Sequence, residues 1–283
     1  MKKDLYTEIT NKLIKAIENG SNSWVKSWNS NSSSEYTGGF LPVNISSRNM
    51  YRGINIPLLL CEGYSSNIWG TFKQWKDKKC SVKKGEKSTV VIFWKMVRNK
   101  NHTAENKEPK SFPLMRTYRV FNSEQVEGFN SDAIAAHDDI QLDKIAQDYI
   151  ARESISIHYG GNRACYSPKQ DFVVVPKPED FRGENEFYST LFHELGHSTG
   201  HKSRLNRQLT ENHLFGSKEY SKEELIAEFT AAFLMAYSGR NDEFSFDNSA
   251  AYLRHWSKHL RDNPKWAIQA AQAAQKAMDY IIL

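Results

Sequence analysis

The sequence predicts an α+β protein of two domains, a small front domain over residues 1–130 and a larger one over residues 131–283. Charge is divided unevenly between them. Residues 1–130 hold 21 Lys+Arg against 11 Asp+Glu, a balance of +10, whereas residues 131–283 hold 17 against 22, a balance of −5. Five of the seven tryptophans (24, 28, 69, 75 and 94) also fall in the front segment. In the back segment a group of short β-rich runs precedes a succession of helical patterns, the order of an α+β domain and not of alternating βαβ units. A hydrophobic content of 39% with 25% charged residues excludes a disordered chain. No apolar run reaches the ~18 residues of a membrane-spanning helix.

The elements follow in order. MKKDLYTEITNKLIKAIENG places Leu5, Ile9, Leu13 and Ile17 at helical spacing, so it reads as an amphipathic helix and not a signal peptide. NSNSSSEYTGG has the composition of a surface loop. Residues 54–64 and 71–79 read as helices. KSTVVIFWKMV and LMRTYRVF are rich in β-branched and aromatic residues, and the polar stretch between them predicts a hairpin with a long loop. The domain boundary is expected within EGFNSDAIAAHDDI. Beyond it come a helix at 141–152, strands around ISIHYG, ACYS and FVVVP, and helices near 184–199, 222–238, 248–261 and 264–280. The last starts behind Asp262, Asn263 and Pro264. Cys61, Cys80 and Cys165 are too few and scattered for a disulfide framework, which predicts a reducing, cytoplasmic setting.

The densest chemistry lies in FHELGHSTGH, residues 192–201. His193 and His197 are four apart on a predicted helix, so both imidazoles leave one face and can share a metal ion. Glu194 then flanks the open coordination position, where a carboxylate can take a proton from a water that the metal acidifies. With 9 His and 20 Glu in 283 residues, roughly 0.02 HExxH matches are expected by chance. Zn²⁺ is the expected ion, with Mn²⁺ or Co²⁺ as alternatives.

The third ligand has two candidates. His201 comes two residues before the position at which HExxHxxGxxH carries its third histidine, and directly after a helix-ending glycine. Glu224, in SKEELIAEFTAAFLMAY, has Glu228 four residues on. This is the arrangement of thermolysin-like zinc peptidases, in which a later helix supplies a ligand carboxylate and a second carboxylate orients a ligand histidine. Glu224 is the favoured ligand and Glu228 the expected orienting group, with Glu223 as an alternative ligand by a small register change. Ser221-x-x-Glu224 could also be a capping box, with Glu224 only satisfying a backbone amide.

The front half carries a different signal. KQWKDKKCSVKKGEK, residues 73–87, holds seven lysines against Asp77 and Glu86. Lysines neutralising phosphates give salt-sensitive, sequence-independent affinity, and exposed aromatic rings add base stacking. The candidate DNA contacts are Arg48, Tyr51, Arg52, Trp69, Lys73, Trp75, Lys76, Lys83, Lys84 and Lys87, with Trp94 as a further exposed ring. For each tryptophan alone, a place in the core is the competing reading.

HELGHSTGHKSRLNR followed by FGSKEYSKEELIAEFTAAFL resembles the metallopeptidase-like domain of ArdC antirestriction proteins, which occur on plasmids and other mobile elements. SSRNMYRGIN and WGTFKQWKDKKCSVKKGEKSTVVIFW resemble that family's N-terminal single-strand DNA-binding domain. The resemblance implies a zincin-like, gluzincin-type back domain and a bacterial factor shielding incoming DNA from restriction. It also implies as partners single-stranded DNA, with double-stranded DNA or a host restriction protein beside it. Ser198, where an aromatic is expected, and Cys165, where a tyrosine is usual, depart from the pattern. Two other functions remain open: an active metalloprotease cutting a DNA-bound protein, and a DNA-shielding protein whose metal is structural. Glu194 favours a site able to catalyse, since a structural site needs four protein ligands and no such carboxylate.

Overall fold

The computed structural model describes residues 4–18, 39–98, 111–130, 141–209, 218–239 and 260–283. Helix α1 (Leu5–Glu18) opens the chain as its periodicity predicts, with Ile9, Leu13 and Ile14 buried. Strand β1 (Val43–Asn44), helix α2 (Asn55–Leu60), strand β2 (Ile68–Thr71) and helix α3 (Phe72–Asp77) follow. α3 starts at a capping box. The Thr71 hydroxyl accepts from the Gln74 amide at 3.3 Å, and the Gln74 side chain accepts from the Thr71 amide at 2.8 Å. Both front-half helices are shorter than their apolar patterns suggest.

Strands β3 (Ser81–Val82), β4 (Thr89–Arg98), β5 (Ser111–Asn122) and β6 (Val126–Glu127) complete the front half. β4 and β5 form the expected hairpin, in register from Thr89↔Val120 to Arg98↔Ser111. It belongs to a sheet of order β1-β2-β5-β4, while β3 and β6 pair separately. Val91 and Ile92 are adjacent yet both buried, because β4 is covered on both faces there.

The back half contains α4 (Leu142–Glu153), then β7 (Ser156–Tyr159), β8 (Cys165–Ser167) and β9 (Phe172–Val175) in a sheet of order β7-β9-β8. Helices α5 (Glu184–Ser198), α6 (Lys218–Tyr237) and α7 (Lys265–Ile281) follow. Of the helix expected at 248–261, only the end is described, and residues 260–262 are helical. No helix among the described residues is long and apolar enough to cross a membrane.

The two halves share one core. Ile9, Leu13, Ile56, Leu58 and Ile92 cluster with Tyr149, Phe192, Leu234 and Ala271. α1 packs on α7, and the Thr10 hydroxyl donates to the Pro264 carbonyl at 2.6 Å. Burying one ring such as Phe192 contributes about 2–3 kcal/mol. The stretch expected to hold the domain boundary lies mostly outside the described residues.

Candidate metal centre

α5 places both histidines on one face. Its first turn holds Glu184 and Glu186, which suit the positive end of the helix dipole. At Gly196, a Cβ would sit 3.3 Å from both Ala227 Cα and Thr230 Cβ. The glycine between the two histidines therefore lets α6 cross in near-backbone contact, and that approach brings the carboxylates of α6 under the imidazoles. α6 begins at Lys218, so Ser221 lies inside the helix and does not cap it. Glu224 is thereby free of the capping role.

His193, His197 and Glu224 each offer a ligand atom, all within 4.8 Å of one another. The two Nε2 atoms are 3.1 Å apart, and each lies 3.5 Å from a Glu224 carboxylate oxygen. A four-coordinate zinc with bonds of about 2.0–2.1 Å spaces its ligands by ~3.3 Å. The nearest donor spacings are close to that value, and two imidazoles with a carboxylate are the matching donor chemistry.

The far ring nitrogens are also held. Glu228 Oε1 is 3.2 Å from His193 Nδ1, the orienting position expected for it. Glu223, the alternative ligand in the sequence reading, stands behind the triangle and not in it, with Oε1 3.4 Å from His197 Nδ1. Arg207 grips Glu223 with both arms, Nε at 3.0 Å and Nη2 at 2.6 Å, and donates to the Thr199 hydroxyl and the Gly196 carbonyl. Gly200 makes room for it, since a Cβ there would lie 2.9 Å from Arg207 Nη2. Nothing in the local sequence announces Arg207, which reaches Glu223 only through the fold. His201 turns away, its Nδ1 2.7 Å from the Ser203 hydroxyl.

Electrostatics follow the geometry. Burial works against protonation of His193, but Glu228 and Glu224 outweigh it and hold its pKa well above the usual imidazole value. Burial pushes the Glu224 carboxyl up, yet His193, His197 and the Tyr220 hydroxyl leave it below the ordinary range. Glu194 is raised, because burial outweighs the nearby imidazoles; the Tyr166 backbone amide donates to it. A buried carboxyl of raised pKa beside a metal triangle has the character of a general base. Ser198 is buried, and its hydroxyl lies 3.0 Å from the Tyr149 hydroxyl. Cys165 is exposed, near Glu194.

The front-half candidates divide. Lys73, Lys76, Lys83, Lys84, Lys87 and Arg48 are exposed. Trp69 and Trp75 are corrections, for they are 2% and 0% exposed and cannot stack on a base. Trp75 sits under the sheet with its indole N–H donating to the Phe121 carbonyl at 3.1 Å. Tyr51 is buried too, its hydroxyl accepting from Asn44 at 3.0 Å. Arg52 is exposed but ion-paired with Asp279 of α7. Among the described front-half residues the large exposed rings are Phe72, Phe93, Trp94 and Tyr118, of which only Trp94 was expected.

Residues 3–121 match the N-terminal domain of anti-restriction factor ArdC, and residues 144–273 match a zincin-like metallopeptidase domain. The uncharacterized protein y4eC of Sinorhizobium fredii (strain NBRC 101917 / NGR234) is 34% identical, over 98% of this chain and 91% of that one. A DNA primase TraC of Escherichia coli is 32% identical over 99% of the chain, which spans only 20% of that protein's length. The crystal structure of the antirestriction ArdC protein from the R388 plasmid, free of metal, is similar with a TM-score of 0.73 at 32% identity, covering 98% of this chain and 96% of that one. Its Mn(II)-bound structure gives a TM-score of 0.72 at the same identity, covering 98% and 97%.

Proposed function

Because the chain belongs to the ArdC family of antirestriction proteins, we propose that it binds incoming DNA and protects it from restriction, using a metal-dependent, peptidase-like centre. Single-stranded DNA is the preferred form, held without sequence preference by the exposed lysines of residues 73–87. The observation that carries the reading is the joining, through one core, of that lysine face to a three-donor triangle flanked by a buried glutamate. The zincin-like domain implies a divalent cation. His193, His197 and Glu224 would hold it, with Zn²⁺ proposed and Mn²⁺ or Co²⁺ as alternatives. When bound, such an ion acts as a Lewis acid on a substrate carbonyl.

The chain's own residues do the rest. Glu228 and Glu223 accept the Nδ1–H protons of His193 and His197, which leaves both Nε2 lone pairs aimed into the triangle. Glu194 would accept a proton on its carboxylate oxygen from the water that attacks the substrate carbonyl, and return it to the amine that leaves as the C–N bond breaks, the role to which its raised pKa is suited. This favours, as a second reading, cleavage of a DNA-bound protein as the means of protection. The test is restriction of DNA entering cells that carry the wild type, Glu194→Gln, or a variant lacking Lys73, Lys83 and Lys84. Protection lost in the lysine variant alone supports shielding by binding. Loss in Glu194→Gln with metal retained supports cleavage, and protection that survives both changes refutes the proposal.

A further inference from the structure

Between the two halves lies a cleft of about 1200 Å³. One wall is the segment 49–55 with Ile92, Phe93 and Trp94 of β4. The other is Leu205, Arg207 and Lys222, together with the face of α7 from Gln269 to Lys276. The lining contains no aspartate or glutamate, yet it holds four cations: Arg52, Arg207, Lys222 and Lys276. Two of them are committed, Arg52 to Asp279 and Arg207 to Glu223. Lys222 and Lys276 make no ion pair with any described residue. Trp94 is a large ring left 40% exposed, whereas Phe93, on the opposite face of β4, packs against Tyr51 and Tyr118. A cleft with spare cations, no anions and an open indole face is complementary to a polyanion carrying flat apolar groups.

We propose that this cleft seats a stretch of single-stranded nucleic acid, with a base stacked on Trp94 and phosphates at Lys222 and Lys276. The proposal rests on the DNA-binding reading above, but it places a contact surface apart from the lysines of 73–87 and partly in the back half, whose net charge alone would repel DNA. Stacking on a side-chain ring requires an unpaired base face, so the occupant is a single strand and not a duplex. Gln269 and Gln272, both exposed along the α7 wall, present amides that can donate to or accept from any base edge, in keeping with sequence tolerance. An acidic peptide would use the lysines but leave the Trp94 ring idle. Arg207 also lines the cleft, so a seated strand would come near the residue that holds Glu223 behind His197.

The test is fluorescence anisotropy of a labelled oligo-dT strand with the full, metal-loaded chain over a salt series. Trp94→Ala should weaken binding by ~5- to 150-fold, the loss of one stacked base, and Trp94→Phe should restore most of it. Lys222→Gln with Lys276→Gln should flatten the slope of log affinity against log salt by up to ~1.4, for two phosphate contacts on a single strand. Trp94 and Lys276 are exposed and Lys222 is half-buried, and metal content by elemental analysis checks that each variant is folded. Unchanged affinity and slope in the cleft variants, while a Lys73/Lys83/Lys84 variant loses binding, would overturn the proposal and leave the DNA-binding reading intact. Displacement of the strand by polyglutamate as readily as by unlabelled oligo-dT would overturn it in favour of an acidic peptide. A wild type that binds no single strand removes the DNA-binding reading itself, and the cleft proposal with it.

Discussion

Replacing Glu223 by glutamine changes no proposed metal ligand, yet it should weaken metal binding substantially. The carboxylate does two things at once: it lies 3.4 Å from His197 Nδ1, and it receives both arms of Arg207 at 3.0 and 2.6 Å. Its charge draws the imidazole proton to Nδ1, leaving the Nε2 lone pair for the ion. A neutral amide of the same shape keeps one acceptor oxygen but loses that pull, and it leaves the Arg207 guanidinium without its counter-charge. Loss of such an orienting group costs about 10–100-fold in metal affinity, or roughly 1.4–2.7 kcal/mol. Competition with a chromophoric chelator, on wild type, Glu223→Gln, Glu228→Gln and Glu224→Ala, measures it. The expected order of loss is Glu224→Ala largest, the two glutamine variants intermediate and comparable. Glu223→Gln binding within twofold of wild type would refute the argument that Arg207 and Glu223 tune His197. A loss exceeding that of Glu224→Ala would make Glu223 the ligand instead.

Three further outcomes are expected. His201→Ala should leave metal affinity near wild type in the same titration, since its ring is engaged with Ser203; a loss larger than that of Glu224→Ala would restore a three-histidine site. Replacing Lys73, Lys83 and Lys84 together should flatten the salt dependence of single-strand binding by up to ~2.1, read by anisotropy, and an unchanged slope would exclude that face. Arg204 is 1% exposed and holds Asp171 at 2.8 Å through two bonds and Glu153 at 3.1 Å, so Arg204→Met should cost about 3 kcal/mol in urea unfolding. Burial opposes the Asp171 charge, but Arg204 and Tyr166 outweigh it and hold its pKa below the usual value. The stability it supplies is therefore full above the unfolded pKa near ~3.9 and is lost as pH falls through the folded one. The variant should show a smaller acid loss, because Tyr166 still donates to Asp171.

The fold class, the β4–β5 hairpin and the helix under His193 and His197 were legible because each rests on local chemistry. Period, β-branching and capping act over a few residues, and the spacing of four in HELGH sets two rings on one face wherever that helix packs. The lysine run is likewise local. Other features were decided only by tertiary contact. Which of Glu223, Glu224 and Glu228 would face the ion depended on where α6 crosses α5, and that crossing is set by how closely Gly196 and Ala227 let the backbones approach. Arg207 entered the centre from a separate loop, with no signal in its own neighbourhood. Trp69 and Trp75 looked like stacking platforms because composition cannot tell a ring beneath a sheet from one above it, whereas Phe72 and Phe93 drew no notice and stand exposed. The sequence determined which chemistries this chain carries, because spacing within one element is fixed by its geometry. Which side chains share a site depends on how separate elements pack, and only the assembled core decided that.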